Sequence, residues 1–322
     1  MADRLFPAHH AHSPCPFCDS HDGLLLTRVD NFFRPQITHL CTSCGTAYTD
    51  PLPSAEAFMQ YHQTTYRKQY KGRPEAAFRL RRIASVNQKR FQFILNTLPL
   101  PASGSMLDVG CGYGYLVEAF AARGWKALGF DPDAKAINTA QARLKNLAHQ
   151  AKLHVASIHD SPIQSGACNL VTAFHVLEHL PNPLQALQRC YEWLAPGGYI
   201  VIEVPNLITL SHSFHSRFHR AHIVHFHPEA LSQALRHIGF EALQIYTQPS
   251  DSTIRINARK PLDPFSESRH NPITFTVSAE KIQQVISTLS LIRKKQRFTS
   301  RSPHKWIQVL VRSILVRLKE HH

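Results

Sequence analysis

The chain has 322 residues, of which 43% are hydrophobic and 18% charged, with 13 glycines. This composition excludes a disordered or collagen-like protein and predicts one large globular domain with one or two small attachments. The net charge of +14 favours anionic partners such as nucleic acid, anionic lipid or acidic substrates without choosing among them. We find neither an apolar run of about 18 residues nor a secretory signal pattern, so we expect a cytoplasmic protein whose cysteines stay reduced.

Two Cys-x-x-Cys pairs separated by 22 residues come first along the chain. They consist of Cys15, Cys18, Cys41 and Cys44. This spacing predicts a tetrahedral Zn²⁺ site with four thiolate ligands and no open position, hence a structural zinc site. The segments Leu24–Val29 and Ile37–Leu40 predict two short strands between the pairs, and residues 1–53 form a zinc-ribbon module. The alternatives are four unrelated buried cysteines, or a redox pair, although neither pair begins a thioredoxin-like helix.

Residues 54–100 are predicted to be a helical connector or lid. Ser54 is a capping residue for a helix that begins at Ala55, and a longer helix ends near Leu98. Its predicted apolar positions are Phe78, Ile83, Val86, Phe91, Ile94 and Leu95. Its basic residues, Arg79, Arg81, Arg82, Lys89 and Arg90, are expected on a solvated face. The tyrosines at 61, 66 and 70 form either a substrate-side surface or an aromatic packing face.

A strand, a Gly-rich turn and a helix are predicted over residues 105–120. Gly110, Gly112 and Gly114 let the backbone approach a ligand closely, and the helix N-terminus offers free N–H groups. The next predicted strand, from residue 126 to 130, is followed by Asp131. An acid at this place accepts both hydrogen bonds of a ribose diol. These features alone suit a nicotinamide dinucleotide as well as any other nucleoside cofactor.

The remaining pattern keeps strands and helices in alternation, which predicts a doubly wound α/β sheet over residues 101–260 with ligands above the carboxyl ends of its strands. The predicted strands are Leu153–Ser157, Asn169–Phe174, Tyr199–Val204, Phe240–Thr247 and Ser252–Ala258, and the predicted helices are Leu184–Leu194 and Pro228–Ile238.

Taken together, these motifs resemble those of the class I methyltransferases, within the group related to ubiquinone-biosynthesis and sugar methyltransferases. The matching segments are LDVGCGYGYLVEAF (107–120), GFDPD (129–133), FHVLEHLPNP (174–183), LAPGGYIVIEVPN (194–206) and HFHPEALSQALRHIGF (225–240). Several members of the group also carry an N-terminal zinc ribbon. The resemblance implies a Rossmann-like, doubly wound sheet of seven strands and favours S-adenosylmethionine as the cofactor.

The resemblance also implies roles for individual residues. It places the amino acid part of the cofactor on Asp108, Gly110, Cys111, Gly112 and Gly114, the ribose on Asp131 and Pro132, the adenine on Ser157 and Ile158, and the sulfonium near His175. The acid that commonly begins the fourth strand is replaced by Asn169. That acid is usually structural, so its replacement does not imply inactivity.

Three histidines are candidates for the group that removes a proton from the acceptor: His179, His222 and His225. Glu178 could orient one of them. The alternative is that His179 only caps its turn, and with 22 histidines in the chain some matches arise by chance. Ala221 replaces an acid that sugar C-methyltransferases tend to have, which weakens a close match to them. The histidine run from 212 to 227 resembles a metal site by count, but a solvated insertion is the favoured interpretation because no acid or cysteine accompanies it.

Residues 261–322 are predicted to form a basic helical tail. Ile307, Leu310, Val311, Ile314, Leu315 and Leu318 make one helical stripe, flanked by basic residues. This amphipathic helix could dock on the protein's own surface, on a membrane surface or on a partner protein. An earlier stripe from Ile282 to Ile292 is a candidate partner for it, which favours docking.

Three functions remain open at this point. The first is methyl transfer to a small-molecule or saccharide acceptor, which the resemblance supports. The second is an RNA methyltransferase that uses the zinc ribbon and the basic tail to bind RNA, which would show steep salt dependence. The third is a binding module that keeps the fold without catalysis.

Overall fold

The computed structural model describes residues 13–61, 77–161, 163–263 and 276–299. The strands are β1 Gly23–Val29, β2 Pro35–Cys41, β3 Ala47–Thr49, β4 Ser105–Val109, β5 Lys126–Asp131, β6 Ala151–Val155, β7 Cys168–Phe174, β8 Leu194–Pro205, β9 Val224–His225, β10 Glu241–Tyr246 and β11 Thr253–Arg259. The α-helices are α1 Ala55–Tyr61, α2 Ala77–Thr97, α3 Tyr115–Ala122, α4 Ala134–Arg143, α5 Pro183–Trp193, α6 Pro228–Ile238 and α7 Ala279–Thr299. Within the described part of the chain, no helix combines the length and the apolar content needed to cross a membrane.

Seven strands form the central sheet in the order β10-β11-β8-β7-β4-β5-β6. The five strands from β8 to β6 are parallel, whereas β11 is antiparallel to both of its neighbours. The carboxyl ends of β4 and β5 therefore lie side by side at one edge, where doubly wound sheets bind ligands. The predicted Rossmann-like, seven-stranded α/β fold is confirmed, with element ends that differ by a few residues. The largest difference is at β8, which begins at Leu194 rather than after the Pro-Gly-Gly turn.

Asn169 joins the beginnings of β4 and β7. Its side-chain oxygen accepts hydrogen bonds from the Ser105 N–H at 2.9 Å and from the Ser105 hydroxyl at 3.1 Å. The Ser105 hydroxyl also donates to the Ala167 carbonyl at 2.7 Å. An amide side chain at this position thus holds two central strands together, away from the carboxyl edge of the sheet.

A second sheet has four strands in the order β1-β2-β3-β9. The strands β1 and β2 match the two that the sequence predicts between the cysteine pairs. The edge strand β9 comes from the far end of the chain, between β8 and α6, and pairs antiparallel with β3. The N-terminal ribbon therefore shares its sheet with a segment predicted to belong to the cofactor domain.

The segment between β8 and α6 is predicted to be solvated, but most of it is buried and only residues 210–213 and 216 are exposed. Phe214, Phe218 and His225 are 4% exposed or less. Helix α7 covers Phe214 and Phe218 with Val285, Leu289 and Ile292. The same apolar cluster includes Leu26, Leu40, Ala47 and Leu207. The His225 ring packs against Phe218. The predicted stripe on α7 thus packs on the protein itself. The tail helix predicted after residue 306 lies outside the described residues.

Helix α2 differs from the prediction at two of its six predicted apolar positions. Phe78 is 79% exposed and Val86 is also exposed, whereas Ile94 is fully buried. The second half of the helix packs on helix α3, where Phe91 contacts Phe120 edge to face at 5.0 Å. The first half extends over the carboxyl edge of the sheet, and its polar residues face the cavity described below.

Candidate functional site

A cavity of about 270 Å³ lies over the carboxyl ends of β4 and β5. Five residues that the sequence analysis assigned to the cofactor line it, namely Asp108, Gly110, Cys111, Gly112 and Asp131. Tyr113, Asp133, Ala136 and Phe174 complete its floor and sides. Helix α2 covers it with Arg79, Ile83, Asn87 and Arg90. The other predicted cofactor residues do not line this cavity; they are Gly114, Pro132, Ser157, Ile158 and His175. The cofactor roles of all ten residues stay predictions.

The turn after β4 has a backbone that requires glycine. Gly110 and Gly112 have φ angles of +68° and +53°, in the region that L side chains rarely adopt. A Cβ at Gly110 would also lie 2.7 Å from Cγ2 of Val176. Gly114, with φ +66°, is the N-cap of α3 and supports no side chain either, since its Cβ would lie 2.9 Å from Leu153. The bare backbone of this turn can therefore approach a ligand closely.

Asp131 holds the second wall of the cavity at the end of β5. One of its carboxylate oxygens accepts the Gly112 N–H at 2.9 Å, and the other accepts the Asp133 N–H at 2.9 Å. These two bonds fix the carboxylate between the glycine turn and the start of α4. Each carboxylate oxygen has a second lone pair, so both can still accept a hydrogen bond from a diol in the cavity.

Asp108 is a buried carboxyl group at the cavity floor, 5% exposed. The Thr172 hydroxyl donates to it at 2.7 Å. Burial raises the pKa of Asp108 to about 7, against the lowering effects of Thr172 and of the Arg90 charge, while the charge of Asp131 adds to the rise. A cation bound in the cavity would favour the ionised form of this group.

Glu203, on β8, connects helix α2 with the sheet and is not among the site residues predicted from the sequence. Arg90 donates to one of its oxygens at 2.5 Å and Arg255 donates to the other through Nε at 2.8 Å. Burial opposes ionisation, but the hydrogen bond from His175 and the charges of both arginines lower the pKa of Glu203 far below its usual value. Arg90 also lies 4.5 Å from the ring centre of Phe174. Its expected place on a solvated face was therefore wrong.

His175 follows β7 directly, with a φ angle of +57°. Its Nδ1 lies 3.0 Å from Glu178 Oε1 and its Nε2 lies 3.3 Å from Glu203 Oε1. Burial disfavours the charged ring, but the two glutamates outweigh it and raise the pKa of His175 to about 9. The imidazolium thus bridges two buried carboxylates beside the cavity floor.

The three histidines predicted to act on the acceptor lie together next to Glu178. The rings of His179 and His222 are 4.9 Å apart, and those of His222 and His225 are 6.4 Å apart. His179 Nδ1 lies 2.7 Å from the Ala221 carbonyl oxygen, a hydrogen bond to a residue outside its own turn. Burial lowers the pKa of His225 to about 3, and the positive charge of Arg217 acts in the same direction, so this ring is neutral near pH 7.

The four predicted cysteine ligands form a compact cluster. Their sulfur atoms all lie within 4.8 Å of one another. Cys15 and Cys44 are 3.8 Å apart, and Cys18 and Cys41 are 3.5 Å apart, which excludes disulfides, whose S–S distance is about 2.05 Å. All four side chains are at most 2% exposed.

A strand-turn-helix that presents glycines beside an acid, on a doubly wound sheet, is typical of the Rossmann-like class, whose members commonly bind nucleoside cofactors. A family model described as a methyltransferase domain matches residues 78–245, slightly more than half of the chain. The chain belongs to this methyltransferase domain family.

The curated relatives it matches include ubiquinone biosynthesis O-methyltransferases. The protein from Albidiferax ferrireducens is 31% identical over 131 residues, which cover 39% of this chain and 50% of the relative. That from Aromatoleum aromaticum is 32% identical over 122 residues, covering 38% and 52%. The chain thus spans about half the length of these relatives.

Solved structures with similarity to the chain include the [4+2]-cyclase SpnF, with a TM-score of 0.47, 16% identity and coverage of 55% of this chain and 81% of that one. Another is a phosphoethanolamine N-methyltransferase from Haemonchus contortus, with a TM-score of 0.47, 18% identity and coverage of 54% and 52%. Neither superposition contributes to the family assignment.

Proposed function

We propose that the protein transfers the methyl group of S-adenosylmethionine to a small-molecule or saccharide acceptor. The observation that carries this proposal is the pairing of Asp131 with the Gly112 N–H across a cavity floored by Asp108. Family membership and the O-methyltransferase names of the relatives support it.

The cavity residues fit this cofactor in charge and in shape. Asp131 can accept hydrogen bonds from the two ribose hydroxyls. The turn carries no Cβ at Gly110 or Gly112, so its backbone can lie close to the cofactor. The Asp108 carboxyl, with its raised pKa, is a partner for the ammonium group of the methionine part. A nicotinamide dinucleotide offers no ammonium group to this carboxyl, so the charge pattern favours S-adenosylmethionine.

The bound cofactor would supply an electrophilic methyl group on a positively charged sulfur. The protein then has to align an acceptor atom with that methyl group and remove its proton where necessary. Burial lowers the pKa of His222 and His225, so both rings are neutral near pH 7. The lowered pKa makes them weak bases, so their proposed role is to bind and orient the acceptor as neutral groups and not to hold its proton. His179 lies beside them and completes the set of candidate residues.

We also propose that the four cysteines hold a structural Zn²⁺ ion. With Zn–S bonds of about 2.3 Å, the sulfur atoms of a tetrahedral site are about 3.8 Å apart, close to the 3.5 and 3.8 Å between the paired cysteines. Four thiolates leave no position for a substrate. The ion would stabilise the N-terminal sheet, which includes β9 and thus supports the histidine cluster.

Isothermal titration calorimetry with S-adenosylmethionine and NAD tests the cofactor assignment. We expect the wild-type protein to bind only the first. Asp131→Ala should weaken that binding by roughly 30-fold or more, because hydrogen bonds to a charged group contribute about 1.5–3 kcal/mol each. Asp251→Asn, in an exposed loop, is the matched control and should bind normally. Unchanged affinity of Asp131→Ala would refute the ribose assignment.

Activity is tested separately, by incubating the protein with methyl-labelled cofactor and fractionated metabolites and glycans. Label in a non-protein fraction, absent with Asp131→Ala, is the expected result. Tight cofactor binding without transfer to any fraction would favour a binding module instead.

A further inference from the structure

The histidine cluster contains a group of side chains with the composition of a metal site. Glu178, His179 and His222 each offer one ligand atom, and the three atoms lie within 4.8 Å of one another. His179 Nε2 is 4.0 Å from Glu178 Oε1. Ligand atoms on a common ion with bonds of about 2.1 Å are about 3 to 4 Å apart, so small side-chain rotations bring these three onto one ion.

The surroundings of Glu178 call for a cation. Its side chain is buried, and its Oε2 atom has no hydrogen-bond partner among the described residues. A buried ionised carboxylate oxygen without a partner is unfavourable by roughly several kcal/mol. The other oxygen is held by His175 Nδ1 at 3.0 Å, an arrangement that orients the carboxylate and leaves Oε2 for a further partner.

One of the two histidines, His179, is oriented as metal ligands usually are. A ligating histidine typically donates its second ring N–H to a backbone carbonyl, which sets the tautomer and aims the other nitrogen at the metal. His179 Nδ1 lies 2.7 Å from the Ala221 carbonyl, and its Nε2 points toward Glu178.

The position of the cluster relates it to the methyl donor. Val176, two residues before Glu178, lies against Gly110 of the cofactor turn. Ile223 N–H donates to the Glu178 carbonyl at 2.9 Å, which ties the segment carrying His222 to the same place. An ion here would lie on the acceptor side of the cofactor turn.

We propose that Glu178, His179 and His222 bind a divalent transition-metal ion such as Zn²⁺, Mn²⁺ or Fe²⁺. Two imidazoles and one carboxylate suit these ions and leave coordination positions open. Acceptors with a hydroxyl group, and above all those with two adjacent oxygens, are the class that would occupy these positions. This second statement, unlike the site itself, rests on the proposed function.

Coordination would lower the pKa of the acceptor hydroxyl. Its proton leaves to solvent, the oxygen lone pair forms the new bond to the methyl carbon, and the carbon–sulfur bond breaks with its electron pair on sulfur. The products are the methyl ether and S-adenosylhomocysteine, and the metal keeps its charge throughout.

Metal-free full-length protein reloaded with Co²⁺ tests the site without any activity assay. The wild type should bind two ions per chain, of which one shows thiolate-to-cobalt charge transfer from the cysteine site and the other does not. His222→Ala should bind one ion and keep the thiolate band. His219→Asn is the matched control, since His219 lies 4.7 Å from His222 but is not one of the three, and it should bind two.

Wild-type protein that binds only the thiolate-ligated ion would overturn the proposal, as would two ions in folded His222→Ala. If His222→Ala does not fold, Glu178→Gln and the wild-type stoichiometry decide the matter. Calorimetry with S-adenosylmethionine on the same samples separates the two proposals. Normal cofactor binding with one ion per chain refutes the second metal alone, whereas two ions without cofactor binding refute the proposed function alone.

Discussion

The Nε2 atom of His227 lies 2.8 Å from the carbonyl oxygen of Cys44. His227 precedes helix α6 and follows β9, while Cys44 belongs to the four-cysteine cluster. A Cβ at Gly45 would lie only 2.6 Å from the same His227 atom, so glycine is needed for this contact. The cysteine site and the segment that carries His222 and His225 are therefore mechanically connected.

Loss of the cysteine site should consequently affect more than the N-terminal sheet. We expect Cys15→Ser combined with Cys41→Ser to lose the thiolate-bound ion and to lower the midpoint of thermal unfolding, since zinc ribbons depend on their metal for folding. Atomic emission and calorimetry measure the two effects. Cys190→Ala, at a buried position in α5, is the control and should keep the ion. Stoichiometric thiolate-bound zinc in the double variant would refute the four-thiolate assignment.

The raised pKa of Asp108 predicts a pH-dependent cofactor affinity. The ammonium group of the cofactor binds the ionised carboxylate, and burial raises the pKa of Asp108 to about 7. As the pH falls below about 7, the free protein becomes protonated at this group and the affinity should decrease by about tenfold per pH unit. Above about pH 8 it should level off.

Titration calorimetry between about pH 5.5 and pH 8.5 measures how the cofactor affinity changes with pH, for comparison with the roughly tenfold change per pH unit expected from proton linkage. Repeating it in buffers of different ionisation enthalpy should reveal proton release on binding near pH 7. Asp108→Asn removes the titrating group, so its weaker affinity should vary little with pH. A wild-type affinity that is flat over this range would contradict the assignment of Asp108 to the ammonium group.

The pairing of Glu203 with Arg90 predicts a large effect on stability. Glu203→Gln leaves Arg90 and Arg255 without their buried carboxylate partner. Removing one member of a buried ion pair lowers the free energy of unfolding by about 3–5 kcal/mol. The expected loss for Glu203→Gln is smaller than this, because both arginines are partly exposed. Glu241→Gln is the matched control. Its carboxylate is 48% exposed and lies 3.9 Å from Arg259, so we expect a change below about 1 kcal/mol. Urea unfolding curves measure both, and equal effects would contradict the role of Glu203.

Local patterns in the sequence predicted the elements that depend on local chemistry. Helix α6 was predicted with both ends correct, because Pro228 opens it and Gly239, with φ +108°, ends it. The glycine turn and Asp131 were recognised as a unit since their separation along the chain is fixed by one strand and one helix. The structure brings these residues to one cavity, although their contact with a cofactor stays a prediction.

Contacts between distant segments could not be predicted in this way. Glu203 and Arg90 are 113 residues apart, and no local pattern indicates that a charge on α2 will face a buried carboxylate on β8. The pairing of β9 with β3 is of the same kind, because a two-residue strand has no periodicity of its own. The predicted burial of Phe78 and Val86 on α2 was wrong for a related reason, since the first half of the helix covers a polar cavity and not the apolar core.

Gly110 allows a test of how closely the cofactor turn is packed. Gly110 and Gly124 both have positive φ angles, but only at Gly110 would a Cβ meet a neighbour, Cγ2 of Val176 at 2.7 Å. Gly124→Ala should lower the free energy of unfolding by about 1–2 kcal/mol through backbone strain alone. Gly110→Ala should lower it by a further 1–3 kcal/mol or so through overpacking, and should weaken cofactor binding. Val176→Ala removes the clashing methyl group, so Gly110→Ala should be less damaging in that background than in the wild type. Urea unfolding of the wild type, the three single variants and the double variant with Gly110→Ala and Val176→Ala gives the coupling energy between residues 110 and 176. A Gly110→Ala effect no larger than that of Gly124→Ala would show that Val176 does not pack against the turn.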